Sequence, residues 1–272
     1  MTVLPDLPDL KAKHRAMWAL GDYPSVATDV IAELGEALVS ATEITARDTV
    51  LDIAAGSGNA SLPAARTGAR VIASDLTPEL LEAGRREAAA QQLELTWQVA
   101  DAEDLPFADG EFDAAISCVG IMFAPFHERA ADELVRVVRP RGRIGLIAWT
   151  PEGFIGEMFA VMKPFAPPPP AGATPPPRWG DEAHVRELLG DRVHDVRVSR
   201  HQLVVDAFAT PEGYRDFFKE RYGPTIAVYT AIAGDPARVA ELDEALAELG
   251  RRHHRPDATM QWEYLLVTAR RT

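Results

Sequence analysis

The chain has 272 residues, 47% hydrophobic and 25% charged, enough for one large domain or two modest ones with a sizeable core. Lysine and arginine number 28 against 41 aspartate and glutamate, and a net charge of −13 argues against gripping nucleic-acid phosphates or an anionic membrane face. The single cysteine, Cys118, rules out an internal disulfide and a Cys-rich zinc site, and no apolar stretch nears the roughly 18 residues that span a bilayer.

The first ten residues, MTVLPDLPDL, hold no signal-peptide apolar region, so a soluble cytoplasmic protein without a stable membrane anchor is expected. Leu10 to Leu20 reads as helix and breaks at Gly21-Asp22-Tyr23-Pro24. From Ser25, the apolar residues Val26, Val30, Ile31, Leu34 and Leu38 recur at helical spacing and predict a second amphipathic helix. Strands and helices then alternate. Strands are predicted at Val50–Ala54, Val71–Ser74, Leu95–Val99, Ala114–Ser117 and Arg143–Trp149. Helices are predicted at Leu62–Thr67, 80–91 and 127–138, the second opened by Thr77-Pro78-Glu79 with proline in its first turn. Strands apolar throughout and separated by helices imply a parallel sheet covered on both faces. Residues 164–177, PFAPPPPAGATPPP, read as a stiff extended loop. Helix 181–189, strand 193–205, helices near 211–220 and 236–251, and a last strand Gln261–Ala269 follow.

The most informative stretch is Val50 to Asn59, VLDIAAGSGN, in which a strand ends in a loop of small residues and a helix begins. A dinucleotide fingerprint, G-x-G-x-x-G, would need glycine where Ser61 stands. Asp52 lies inside the strand, where a pyrophosphate site has no use for a carboxylate and a ligand carrying an ammonium and a sulfonium would welcome one. Asp75 closes the second strand, placed to accept both hydroxyls of an adenosine ribose, and Asp101 closes the third, placed to meet an adenine amino group. Each alone reads equally as a solvated strand-end acid. Three on successive strand ends of one sheet point to a ligand, because ligands sit at the carboxyl ends of parallel strands.

VLDIAAGSGN, IASD, DAEDLPFADGEFDAAIS and ELVRVVRPRGRIGLIAW, in this order over residues 47–150, resemble the class I S-adenosylmethionine-dependent methyltransferases, especially the ubiquinone/menaquinone-biosynthesis type and its small-molecule relatives. The resemblance implies a Rossmann-like α/β fold. Its sheet would be seven-stranded and mostly parallel with an antiparallel last strand, under an N-terminal and inserted helical cap. It implies one domain over residues 1–272, with a lid at 1–45, a cofactor-binding core at 47–150, and cap insertions and closing strands at 151–272. It also implies S-adenosylmethionine as cofactor, S-adenosylhomocysteine as product and a small, fairly apolar acceptor methylated by in-line displacement. Carried over by motif, the cofactor residues are Asp52, Ala54, Gly56, Ser57, Gly58, Asp75, Leu76, Asp101 and Ala102, with the backbone of Cys118 lining the site. Ala54 replaces the usual first glycine of the loop, Asn59-Ala60 follow Gly58, and Arg141-Gly142 stands where Pro-Gly-Gly is frequent.

The segment Ser117 to His127 is apolar and aromatic and is expected to face the acceptor. His127 is its nearest titratable residue, a candidate general base; a polar residue in the first turn of helix 127–138 is the competing reading. Trp18 and Tyr23 flank the break after the first helix. Tyr23 is the aromatic expected to cover the sulfonium by cation–π contact and to act on the acceptor side, whereas Trp18 reads equally as core. His14 is placed to enter the site as well, with a solvated helix face as the default reading. His253 and His254 suit a helix C-terminus, and no metal is expected. Two rivals stay open: a protein that binds S-adenosylmethionine without transferring its methyl, as a structural element or for a cyclisation, and a nicotinamide-dependent oxidoreductase, against which Asp52 and the absent third glycine speak.

Overall fold

A computed structural model describes residues 7–272. Three helices precede the sheet: α1 (Leu7–Trp18), α2 (Tyr23–Asp29) and α3 (Ala32–Ala41). The single amphipathic helix predicted from Ser25 is thus two helices. The break falls at Val30 and Ile31, whose φ values of −122° leave the helical range and whose branched side chains are stiff in a helix. Then come β1 (Thr49–Ile53), α4 (Ser61–Arg66), β2 (Arg70–Asp75), α5 (Pro78–Ala90), β3 (Thr96–Val99), β4 (Phe112–Cys118), α6 (His127–Val137) and β5 (Val138–Trp149). The remainder holds α7 (Phe154–Met162), α8 (Glu182–Leu189), β6 (Val193–Val205), α9 (Pro211–Arg221), α10 (Gly223–Ile232), α11 (Pro236–His253) and β7 (Met260–Arg271).

The seven strands form one sheet in the order β3-β2-β1-β4-β5-β7-β6. β1 pairs in parallel with β2 on one side and β4 on the other, and β7 runs antiparallel between β5 and β6. This is the Rossmann-like sheet with an antiparallel last strand that the resemblance implied. Val50, Leu51, Ile53, Ala114, Ala115 and Ile116 of the central pair are fully buried, because α3 lies against β4 and β5 while α6 packs on the same two strands. The strand order reverses between β2 and β4 on either side of β1, and at such a switch point the loops leaving the carboxyl ends part and open a crevice.

Two helices escaped the sequence reading. α7, FIGEMFAVM, is apolar on nearly every side, so it shows no helical period. α10 begins at Gly223-Pro224, a pair that reads as a breaker but here supplies proline to the first turn. Among the described residues no helix is long and apolar enough to cross a membrane, and no group of three or more His, Cys, Asp or Glu side chains is placed to hold a metal ion.

Candidate active site

A crevice open to solvent lies at the carboxyl ends of β1 to β4. Its floor is the loop after β1, through Ala54 and Gly56, and its sides are Asp75 to Thr77 after β2, Ala100 to Ala102 after β3, and the segment from Val119 to Pro125 after β4. Its roof comes from Lys11, His14 and Trp18, three and four residues apart on one face of α1, together with Tyr23.

Backbone conformation shapes the floor. Gly56 and Gly58 have φ of +57° and +92°, the left-handed region that glycine enters without penalty. Ala54 takes φ +54° and Val119, at the end of β4, takes φ +48°. For a branched residue this is an outlier, held by the Val119 N–H donating to the Ile147 carbonyl at 2.8 Å. A Cβ on Gly120 would collide with the Ala54 carbonyl, so glycine there lets the two strained loops meet. Strain of this kind concentrates where ligands are held.

Asp75 is 8% exposed and accepts the Gly56 N–H and the Thr77 N–H, both at 2.8 Å. Burial pushes its carboxyl up, and those two backbone donors oppose the shift. The carboxylate thus fixes the glycine loop and the entry to α5, while its remaining lone pairs stay free for a ligand. Asp101 accepts the Lys11 ammonium at 2.8 Å and the Glu103 N–H at 3.0 Å on the same oxygen, Oδ1. Asp52 lies beneath the loop, 1% exposed. Its Oδ2 accepts the Ser61 hydroxyl at 2.6 Å, and its buried Oδ1 has no partner. Burial lifts its carboxyl to about 7 against the Ser61 hydrogen bond, with the Asp75 charge adding to the rise.

The structure therefore brings Tyr23, Ala54, Gly56, Asp75, Leu76, Asp101 and Ala102 together on the crevice wall. Ser57, Gly58 and Cys118 lie outside that lining: Gly58 faces the Trp97 ring, the Ser57 carbonyl faces Gly84, and the buried Cys118 thiol accepts the Asn59 amide at 3.6 Å. Burial raises that thiol's pKa, so it is no nucleophile. His127 lies apart from these residues. It starts α6 but is 2% exposed, packed on Trp179 with its Nδ1 3.0 Å from His184 Nε2, and it does not reach the crevice. Burial, reinforced by His184, lowers its pKa to about 4, so it stays neutral at pH 7. His127→Ala is accordingly expected to leave the pH–rate profile unchanged while lowering the melting temperature. Because the folded-state pKa is depressed, this neutral histidine's contribution is present above about pH 6.5 and lost as pH falls towards 4, so the stability gap should shrink over that range. A lost alkaline or acidic limb in the rate profile would restore a catalytic role.

Lys11 and Glu103 are residues of the site that the sequence did not point to, and His14, which reads by default as a solvated helix face, lies on the crevice roof. The spacing of Lys11, His14 and Trp18 was a usable signal of a shared helix face.

Residues 51–146 match a family described as a methyltransferase domain. An uncharacterized Mycobacterium tuberculosis protein is 52% identical over 258 residues, covering 95% of this chain and 94% of that protein. The demethylmenaquinone methyltransferase of Clavibacter sepedonicus is 41% identical over 99 residues, 36% of this chain and 40% of that one. Residues 51–146 are a methyltransferase domain, set in the fold of the class I S-adenosylmethionine-dependent methyltransferases. A geranyl diphosphate methyltransferase solved with S-adenosylmethionine superimposes with a TM-score of 0.54 over 89% of this methyltransferase and 85% of that chain, at 18% identity. S-adenosylmethionine is the methyl donor, and the residues suit it. Two strand-end carboxylates keep free lone pairs at the crevice wall, and a buried carboxylate oxygen beneath the glycine loop lacks a partner.

Proposed function

We propose that this methyltransferase acts on a small, fairly apolar molecule. The observation that carries the reading is the segregation of the crevice lining. Its charged groups, Lys11, Asp75 and Asp101, gather at the β2 and β3 ends, whereas the β4 side presents Trp18, Phe123, Ala124 and Pro125. Trp18 meets Phe123 edge-on at 4.7 Å, Tyr23 at 5.5 Å and Tyr222 at 5.7 Å, and Phe123 backs onto Phe159 of α7. His14, the other titratable group on the roof, has its pKa lowered by burial and by the Lys11 charge, which favours the neutral ring there. A wall of aromatic edges without a fixed charge suits an uncharged acceptor.

The donor supplies an electrophilic methyl carbon on a sulfonium. Asp75 receives the ribose hydroxyls, Asp101 with Ala102 and Leu76 takes the adenine, and Asp52 balances the ammonium under the loop of Ala54, Gly56, Ser57 and Gly58, with the Cys118 backbone beside it. Tyr23 has its ring edge over Gly56; in this reading the ring covers the sulfonium and the residue acts on the acceptor side. The chain works as one domain: a lid at 1–45, of which residues 1–6 lie outside the described residues, a donor-binding core at 47–150, and a cap with closing strands at 151–272. Rate comes chiefly from holding nucleophile, methyl carbon and sulfur in line and from excluding water. No side chain need take a proton from an acidic acceptor.

Incubating the enzyme with methyl-labelled donor and a fractionated metabolite extract tests this directly. Label should pass to an organic-soluble product, and donor binding without labelled product would instead favour a protein that holds the donor without transferring its methyl. Tyr23→Phe is expected to leave the donor dissociation constant within about twofold and to lower turnover measurably, because donor affinity rests on the loop and the strand-end acids. A Tyr23→Phe variant that loses donor binding while folded would move Tyr23 out of the acceptor side.

A further inference from the structure

Glu103 is an acid buried to 5% exposure, and its partners lie in three separate parts of the fold. Its Oε2 accepts the Lys11 ammonium at 2.7 Å, its Oε1 accepts the Phe126 N–H at 2.8 Å, and its own N–H donates to Asp101 Oδ1 at 3.0 Å. Lys11 completes the node by donating to Asp101 Oδ1 at 2.8 Å. One ammonium, its side chain 15% exposed, thus joins the roof helix α1, the strand-end acid Asp101, and through Glu103 the loop bearing Phe123 to Phe126 on the acceptor side.

The attachment of α1 is uneven. Its C-terminal end is pinned: Asp22 N–H donates to the Arg221 carbonyl at 3.0 Å, Gly21 forms a bridge with Tyr222 at φ +70°, and Gly223 packs on the Met17 carbonyl. Over its first two turns, the polar ties from α1 to the core among the described residues are the two Lys11 ion pairs. The next tie along the helix is an exposed Arg15–Glu79 contact at 3.7 Å. A helix fixed at one end and held at the other by one buried leucine, Leu10, and one ammonium across the crevice mouth has the build of a hinged cover.

We propose that Lys11 is a positioning residue for the donor: it latches α1 over the crevice by binding Asp101 and Glu103 together, and the pair parts when the spent donor leaves. The proposal rests on the reading of Asp101 as a donor-binding acid. Pairing on Oδ1 leaves Oδ2 for the ligand. Lysine is a compact charge that two carboxylates can share and release, where arginine forms a planar fork.

Release of S-adenosylhomocysteine, followed by stopped-flow displacement in the full chain, tests the latch. Lys11→Met is expected to release the product about tenfold faster or more, with Lys11→Arg restoring release to within about threefold of the parent. Added salt should speed release in the parent and have little effect in Lys11→Met, a readout that a merely structural pair would not move. Unchanged release in Lys11→Met, whether or not its melting temperature falls, overturns the latch. Asp101→Asn, checked for folding by thermal melt, separates the two failures. Unchanged product affinity in Asp101→Asn overturns the donor-site reading, whereas weakened affinity there with unchanged release in Lys11→Met overturns the latch alone.

Discussion

Asp75→Ala is expected to weaken S-adenosylmethionine binding by about one to two decades, since a charge-assisted hydrogen bond contributes roughly 1.5–3 kcal/mol. The structure adds a second consequence. Asp75 is the acceptor for the Gly56 and Thr77 N–H groups, so the substitution strands two donors in a largely buried position. Each stranded donor costs about 1–3 kcal/mol unless water reaches it, and the melting temperature of the free protein should fall as well. The glycine loop then loses its tether to β2, which lowers affinity beyond the ribose contact alone. Titration calorimetry at a temperature where circular dichroism shows the variant folded separates the effects. A folded Asp75→Ala variant with the parent's dissociation constant would return Asp75 to a purely structural part in holding the loop.

What was legible in the chain is what local chemistry encodes. The small residues of Val50 to Asn59, an acid at each successive strand end and the proline opening α5 mark where a parallel strand gives way to a helix. That rule alone locates the crevice at the switch point beside β1. Two of the three acids, Asp75 and Asp101, stand on the crevice wall, and the third, Asp52, lies buried under its floor. Less legible were elements whose order comes from burial on all sides. α7 has no polar face to betray its period, and β5 begins at Val138 and passes through Arg141 at φ +63°, a kink no pattern announces. Contacts distant in the chain were out of reach altogether. Glu103 sits in DAEDLPF as one acid among several, and only the docking of α1 reveals that its partner is Lys11, 92 residues away. The same limit applies to His127, where a helix start beside an aromatic loop is compatible with either face, and the packing of Trp179 and His184 decides.

Donor affinity is expected to rise about tenfold per pH unit between roughly pH 5 and 7 and to level off above, because of Asp52. In the free protein its carboxyl titrates at about 7, raised first by burial, opposed by the Ser61 hydroxyl, and raised further by Asp75. Below that value the site is mostly protonated and neutral. The donor's amine is protonated throughout this range, and an ammonium near Asp52 is stabilised only by the ionised form, so binding expels a proton. Calorimetry in buffers of different ionisation enthalpy should detect close to one proton released at pH 6 and few at pH 8. Linkage has the opposite sign for the free protein. A folded-state pKa above the ordinary carboxylate value means the fold binds more protons than the unfolded chain, so Asp52's contribution to stability declines as pH rises from about 4 to 7. The donor counteracts that decline, and the rise in melting temperature that it produces should therefore grow with pH. Asp52→Asn removes the titration, so both the slope in affinity and the pH-dependent part of the thermal shift should flatten, with affinity at pH 8 falling by about tenfold or more. His14 on the roof and Asp75 on the wall, whose carboxyl burial also raises, are other groups able to change charge there, but their slopes would survive in Asp52→Asn, which makes that variant the deciding comparison. A parent enzyme whose donor affinity is flat from pH 5 to 7 would show that the orphaned Asp52 oxygen does not meet the ammonium, and the buried carboxyl would then serve only to anchor Ser61 at the start of α4.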